Sequence, residues 1–195
     1  MAAGELGQYR RKRDLGASPE PSGGVPSAGE PRFVIHKHDA TSLHYDVRLE
    51  VGGVLKSWAV PKGPSTDPRD KRLAMPTEDH PLDYANFEGI IPKGHYGAGA
   101  VIVWDHGTYR NRTEADGEQV PLEQALTDGH AVVWLEGRKL HGGWALTRIA
   151  SGDDERWLLV KVRDESADAR RRPTSTQPES VLTGRTVEDV AVGEG

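Results

Sequence analysis

Nine consecutive residues concentrate the chemistry of this sequence: Leu43-His44-Tyr45-Asp46-Val47-Arg48-Leu49-Glu50-Val51. In a strand, alternate side chains point to opposite faces. Leu43, Tyr45, Val47, Leu49 and Val51 then form an apolar face, and His44, Asp46, Arg48 and Glu50 an ionisable one. A solvated face would account for polar residues, but the residues opposite argue for more. With Gly52-Gly53 as a two-residue hairpin turn, Val51 pairs with Val54, Val47 with Trp58 and Tyr45 with Val60. The same register sets Asp46 against Ala59 and Arg48 against Ser57, small residues that leave room for a ligand. A slip of one residue would reverse every assignment.

His44 and Asp46, two apart on one face, can converge on one cation. His38 lies six residues earlier, beyond a turn at Asp39-Ala40-Thr41-Ser42. The spacing His-x5-His-x-Asp supplies two imidazoles and a carboxylate and leaves positions open for water or substrate. On chemistry alone the set suits Mn, Fe, Zn or Ni; the alternative is ordinary surface histidines. The chain has no cysteine, so any metal must use histidines and carboxylates, and thiol catalysis is excluded.

Two further stretches fit a phosphate-directed site. Lys62 follows the second hairpin strand in Pro61-Lys62-Gly63-Pro64, and Glu78-Asp79-His80-Pro81-Leu82-Asp83-Tyr84 reads as a loop with His and Tyr four apart. A cation, an imidazole and a phenol can donate to phosphoryl oxygens, and His can protonate a leaving oxygen. Each also has a plain reading as a turn lysine, a loop histidine and a packed tyrosine. Pro92-Lys93-Gly94-His95-Tyr96-Gly97-Ala98-Gly99 is no phosphate loop, because Lys93 precedes the glycines and no Ser or Thr follows. It reads as a glycine-dependent turn.

The elements that must position these residues are mostly strands. Period-two alternation marks 33–35, Leu43–Val51, Val54–Val60, 100–104, 130–135, 143–149 and 156–162. One short helix fits 122–127, with Pro121 at its start and Gly129 after its end. The expected fold is mainly β: a small antiparallel β-barrel with one or two short helices and flexible termini, a sandwich being the runner-up. With 195 residues the chain holds one domain. Composition divides it into an N-terminal arm, 1–31, partly flexible; a barrel domain, 32–165; and a flexible tail, 166–195. No apolar run reaches membrane-helix length and no signal peptide is evident, so a cytoplasmic protein without membrane contact is expected. A net charge of −5 makes any nucleic-acid contact local, through Arg10-Arg11-Lys12-Arg13 and Lys62.

Several long motifs, in order, resemble the 3′-phosphoesterase domain of bacterial DNA ligase D. They are Phe33-Val34-Ile35-His36-Lys37-His38-Asp39-Ala40, Leu43-His44-Tyr45-Asp46, Leu55-Lys56-Ser57-Trp58-Ala59-Val60-Pro61-Lys62-Gly63-Pro64, the 78–84 run, Phe87-Glu88-Gly89-Ile90-Ile91-Pro92, Tyr96-Gly97-Ala98-Gly99 and Trp157-Leu158-Leu159-Val160-Lys161. The resemblance covers about residues 9–165. It implies a metal-dependent enzyme that removes a 3′-terminal ribonucleoside from DNA and then the remaining 3′-phosphate, leaving a 3′-hydroxyl for non-homologous end joining. It implies Mn2+ as cofactor, with other divalent metals as alternatives, and RNA-tipped or plain DNA 3′ ends of a primer–template as substrate. His38, His44 and Asp46 resemble its metal ligands, and Arg48, His80 and Tyr84 its phosphate-engaging residues. Lys62 and Arg72 stand as supports, while Arg13, Asp14 and Glu20 resemble an N-terminal motif linked to activity. On that ground 1–31 becomes an arm that folds over the site. His36 stands where the family usually has Gln, Val47 where Phe is common, and Met75-Pro76-Thr77 is atypical. No ligase or polymerase domain is present in these residues, so the resemblance is to stand-alone members, with separate ligase, polymerase or Ku-type proteins as partners. The competing readings are a non-catalytic module binding DNA ends or a repair partner, and a cupin-like oxygenase.

Overall fold

The computed structural model describes residues 6–193, so the extreme ends of the predicted arm and tail lie outside the described residues. Eleven strands form among the described residues: β1 (Arg32–Asp39), β2 (Leu43–Val51), β3 (Val54–Val60), β4 (Arg72–His80), β5 (Gly89–Ile91), β6 (Gly99–Asn111), β7 (Glu114–Ala115), β8 (Glu118–Gln119), β9 (His130–Gly137), β10 (His141–Ala150) and β11 (Arg156–Lys161). The helices are short: α1 (Gly7–Arg11), α2 (Leu122–Asp128), α3 (Pro173–Thr176) and α4 (Val187–Gly193). Strands pair in the order β1-β2-β3-β4-β11-β10-β9-β6, and β6 pairs back onto β1. This closes an eight-stranded antiparallel barrel and leaves none of those strands as an open edge. The barrel, and not the sandwich, is the observed architecture. No helix among the described residues is long and apolar enough to cross a membrane.

The β2–β3 hairpin decides what faces where. Gly52 and Gly53 have φ of 60° and 84°, left-handed at both positions as the two-residue turn demands. The observed register pairs Val51 with Val54, Val47 with Trp58, Asp46 with Ala59 and Arg48 with Ser57, as the turn predicts. Tyr45, Val47 and Leu49 thereby join Phe33, Ile35, Trp58, Trp104, Trp144 and Trp157 inside the barrel.

The opposite face of the same strands is not left to solvent. Val34, Leu55, Val101 and Val103 pack outside the barrel against Tyr9 of α1 and against Leu82, Tyr84 and Phe87. The last three belong to, or directly follow, a 3-10 turn at Leu82–Asn86. The N-terminal arm therefore packs on the barrel wall. The strand row that could have been a wet surface is instead a covered one.

Three segments differ from the sequence expectation. Residues 78–80, read as loop, end strand β4, which pairs with β3 along Ala59–Met75 and Trp58–Pro76. Pro76 breaks the alternation and lacks an N–H, so the strand exists only through its neighbours. The stretch 166–195, expected to be a flexible tail, lies against the barrel over its described residues. Val187 and Val190 of α4 bury against Ala100 and Ile102 of β6, and Trp104 Nε1 and Lys139 Nζ both donate to the Gln177 carbonyl at 2.8 Å. Its polar composition concealed contacts made by backbone carbonyls and two valines. The arm, in turn, carries the short helix α1, which no periodicity announced.

Candidate active site

The outer face of β1–β4 presents three cross-strand rows. His38 sits opposite His44, His36 opposite Asp46, and Asp46 opposite Ala59, itself opposite Met75. Arg48 lies between Val34 and Ser57. Over these rows opens a cavity of about 370 Å³, lined by His38, His44, Asp46, Arg48, His80 and Tyr84 and roofed in part by Arg13, Glu78 and Tyr96. The small residue at 59 leaves this volume, as the register argument requires.

His38, His44 and Asp46 converge as their spacing suggested. One donor atom from each lies within 4.8 Å of the others. His38 Nδ1 is 3.5 Å and His44 Nε2 3.3 Å from Asp46 Oδ2. The remaining ring nitrogens donate to backbone carbonyls, His38 Nε2 to Gly97 at 2.6 Å and His44 Nδ1 to Ser42 at 3.1 Å. Outer partners of this kind fix ring orientation, so that in the neutral ring the inner nitrogen carries the lone pair, and in the protonated ring it donates toward Asp46. Gly97, at φ 76°, brings its carbonyl to His38 in a left-handed conformation that suits glycine. Burial alone would raise the Asp46 carboxyl, but Arg48 with both histidines outweighs it and holds Asp46 well below the usual carboxylate range. Burial disfavours a charged His44, yet the Asp46 contact leaves it above its ordinary value. An ionised carboxylate and two oriented imidazoles form a donor set that fits a divalent cation.

Arg48 is locked on three sides. Its Nε donates to His36 Nδ1 at 3.1 Å, Nη1 donates to Ser57 Oγ at 2.9 Å, and Nη2 lies 3.4 Å from Asp46 Oδ2. The guanidinium also rests over the Tyr84 ring, 5.0 Å from its centroid. His36 passes the chain on, its Nε2 donating to the Phe87 carbonyl at 3.1 Å. Burial and the neighbouring Arg48 keep His36 neutral, well below its ordinary value.

The arm supplies a second cation. Arg13 donates from Nε to Glu20 at 2.8 Å, from Nη1 to Glu78 at 2.8 Å, and lies with Nη2 3.3 Å from His80 Nε2. His80 Nδ1 donates to the Glu78 carbonyl at 2.8 Å, which leaves Nε2 as the acceptor facing Arg13. Burial, Arg48 and Arg13 together hold His80 well below its ordinary value, so it rests neutral. The Tyr84 hydroxyl donates to Glu20 Oε1 at 2.9 Å, and burial pushes its pKa up.

Of the predicted residues, His38, His44, Asp46, Arg48, His80, Tyr84 and Arg13 line the cavity, and Glu20 braces two of them. Three are placed elsewhere. Lys62 is exposed on the turn after β3, where its neighbour Pro61 reaches the cavity instead. Arg72 opens β4 and lies 3.6 Å from Asp70. Asp14 accepts from the Gly16 backbone and shapes the arm's turn. Glu78, Ser57 and His36 carry weight that the sequence reading did not assign. For His36 a signal existed in its place two residues before His38, on the same face of β1.

Residues 36–148 match the family model of the DNA ligase D 3′-phosphoesterase domain. The chain belongs to this family. It is 51% identical over 188 residues to the multifunctional non-homologous end joining protein LigD of Pseudomonas aeruginosa, covering 93% of this chain and 22% of that protein. It is 44% identical over 168 residues to the multifunctional non-homologous end joining DNA repair protein LigD of Mycobacterium tuberculosis, covering 84% of this chain and 20% of that one. The LigD of Mycolicibacterium smegmatis is 42% identical over 168 residues, with 84% and 21% covered. The chain thus spans about a fifth of the length of these relatives. The matched stretch of this 3′-phosphoesterase domain holds the His38–His44–Asp46 cluster, Arg48, His80 and Tyr84, while Arg13 and Glu20 precede it.

Proposed function

We propose that this 3′-phosphoesterase domain heals DNA 3′ ends, first removing a 3′-terminal ribonucleoside and then the exposed 3′-phosphate, for use in end joining. The observation that carries this reading is the convergence of a three-ligand cluster, Arg48 and Arg13 on one cavity. That combination suits a phosphate ester better than an oxygenase substrate, which has no need of two clamping guanidinium groups. Separate ligase, polymerase or Ku-type proteins would act on the healed end, in the cytoplasm.

His38, His44 and Asp46 would hold a divalent cation, manganese by resemblance to the family. When bound it supplies positive charge against the negative charge that grows on the phosphoryl oxygens. The chain's own residues do the rest. Arg48, fixed by His36 and Ser57, offers its planar fork to the phosphate in a geometry set before substrate arrives. Arg13 adds a second cation from the arm. Each step is a net hydrolysis. In the first, an oxygen from water becomes bonded to phosphorus as the bond from phosphorus to the terminal nucleoside's O5′ breaks; O5′ takes a proton of that water and the phosphate stays on the strand. In the second, a second water oxygen becomes bonded to phosphorus, the bond to O3′ breaks, O3′ takes the proton and inorganic phosphate leaves. His80, neutral at rest with a lone pair on Nε2, is placed to accept a proton; donating one to a leaving oxygen requires that it be protonated first. Tyr84 supports Arg48 through its ring and the arm through its hydroxyl.

The test is a 5′-labelled primer–template ending in one ribonucleotide, incubated with manganese beside a His44→Ala control. Shortening to a 3′-phosphate and then a 3′-hydroxyl, lost in the control, is the expected result. Intact substrate with every divalent metal tried would overturn the proposal in favour of a non-catalytic end-binding module.

A further inference from the structure

The floor of the cavity is ionic, but its rim is not. Leu43, Met75 and Tyr96 are 46%, 38% and 48% exposed. Met75 and Tyr96 line the cavity, and Leu43 directly precedes the ligand His44. Leaving such side chains in water beside a phosphate site serves no purpose for a bare phosphate. A nucleoside attached to that phosphate brings a flat apolar base and a sugar, which such a rim can cover.

Tyr96 is the aromatic member of this rim and it is held in place. It sits on the loop between β5 and β6, whose turns close through His95 N to the Pro92 carbonyl at 3.2 Å and Ala98 N to the His95 carbonyl at 3.1 Å. The next residue, Gly97, accepts the His38 hydrogen bond, so the ring is tied to the ligand cluster one residue away. Lys12 Nζ and Arg13 Cζ lie over the ring, 4.8 and 5.3 Å from its centroid, while ion-paired to Glu78 and, for Arg13, Glu20, so the arm holds the ring in place and brings positive charge to it. A half-exposed ring next to such cations is how single strands are gripped without reading sequence, because every base has a stacking face.

We infer that Tyr96 is a stacking platform for the nucleobase adjoining the scissile phosphate, so that binding requires a base there but not a particular one. This rests on the phosphoesterase reading of the cavity and deepens it. The competing role for Tyr96 is a latch that holds the arm through Lys12 and Arg13. The two roles differ in whether the base matters.

The experiment measures fluorescence anisotropy of a labelled single strand ending in a 3′-phosphate, with the terminal nucleoside either intact or abasic. The wild type, Tyr96→Phe and Tyr96→Ala are compared without added metal, so that no turnover is needed. A base stack predicts about tenfold tighter binding of the intact end by the wild type. Tyr96→Phe keeps that ratio, Tyr96→Ala brings it to one, and all four natural bases behave alike within about threefold. An equal loss for both strands in Tyr96→Ala would identify a latch and overturn the stacking role, as would a wild type that ignores the missing base. Because the readout is binding, a discriminating protein that cleaves nothing refutes the enzyme reading alone. One that cleaves without discriminating refutes only the platform.

Discussion

Arg48 shows how much of this site depends on single donors aimed in fixed directions. It satisfies His36, Ser57 and Asp46 at once, which a lysine ammonium on a flexible stem cannot do. Arg48→Lys should lower kcat by about 10²–10³, the scale of losing a preorganised donor, while leaving metal affinity, measured by calorimetry, within a few-fold. His36 gives a finer test. Its ring accepts from Arg48 on one nitrogen and donates to the Phe87 carbonyl from the other. A glutamine carries the same pair of functions on one amide, so His36→Gln should keep activity within a few-fold. His36→Leu strands the Arg48 Nε and the Phe87 carbonyl, and should cost about 1–3 kcal/mol in denaturant unfolding.

Among the elements, the arm and the C-terminal segment cover different parts of the barrel with different consequences. The arm brings Arg13 to the cavity, and Glu20 holds both Arg13 and Tyr84 from beneath with only 4% of its surface exposed. Glu20→Ala leaves the Arg13 Nε and the Tyr84 hydroxyl without their acceptor, with Arg13 held by Glu78 alone among the carboxylates, and kcat should fall at least about tenfold. The α4 segment touches β6 but contributes nothing to the cavity lining. Val187→Ala and Val190→Ala each remove two buried methyl groups, at about 2 kcal/mol per site. The double variant should melt about 10 °C lower in calorimetry and keep its activity at 25 °C. Activity lost in step with the melting temperature would mean that the two regions are coupled.

At the scale of the whole molecule, charge is distributed rather than uniform. A chain of net charge −5 that grips a polyanion must do so through a few local cations, so the salt dependence of strand binding should report only a few released counterions. The barrel also buries Lys139, whose Nζ lies over the Trp104 ring and donates to the carbonyls of Gln177 and Glu179. Burial pushes its pKa down to about 8 from 10.5. Between those values the unfolded chain holds more protons than the folded one, so stability gained from this group rises with pH from 8 to 10.5 and is lost as pH falls through 8. The unfolding free energy of the wild type relative to Lys139→Met should therefore climb across that window, by at most about 1.4 kcal/mol per pH unit. A flat difference would show that the charged form is as well housed in the fold as in water.

Alternation, one Gly-Gly turn and the His-x5-His-x-Asp spacing were enough to specify the β2–β3 register, the ionisable row and its small opposing residues. These are local relations, because side-chain direction in a strand follows from position and a two-residue turn leaves no freedom of pairing. The resemblance of the motifs carried the family. The resemblance also put the arm over the site, but nothing in the sequence showed that the row faces out of the barrel, since burial there depends on Tyr9, Tyr84 and Phe87 arriving from distant parts of the chain. Strand β4 was hidden because Pro76 breaks its pattern and its pairing comes from β3. The packing of 166–193 was hidden because backbone carbonyls, which every residue has, make many of its contacts. The parts played by Glu78 and Tyr96 became legible only when closure of the sheet brought β4 and the loop before β6 around the cavity beneath the arm. Their roles come from partners far away in sequence, and only the tertiary structure sets those.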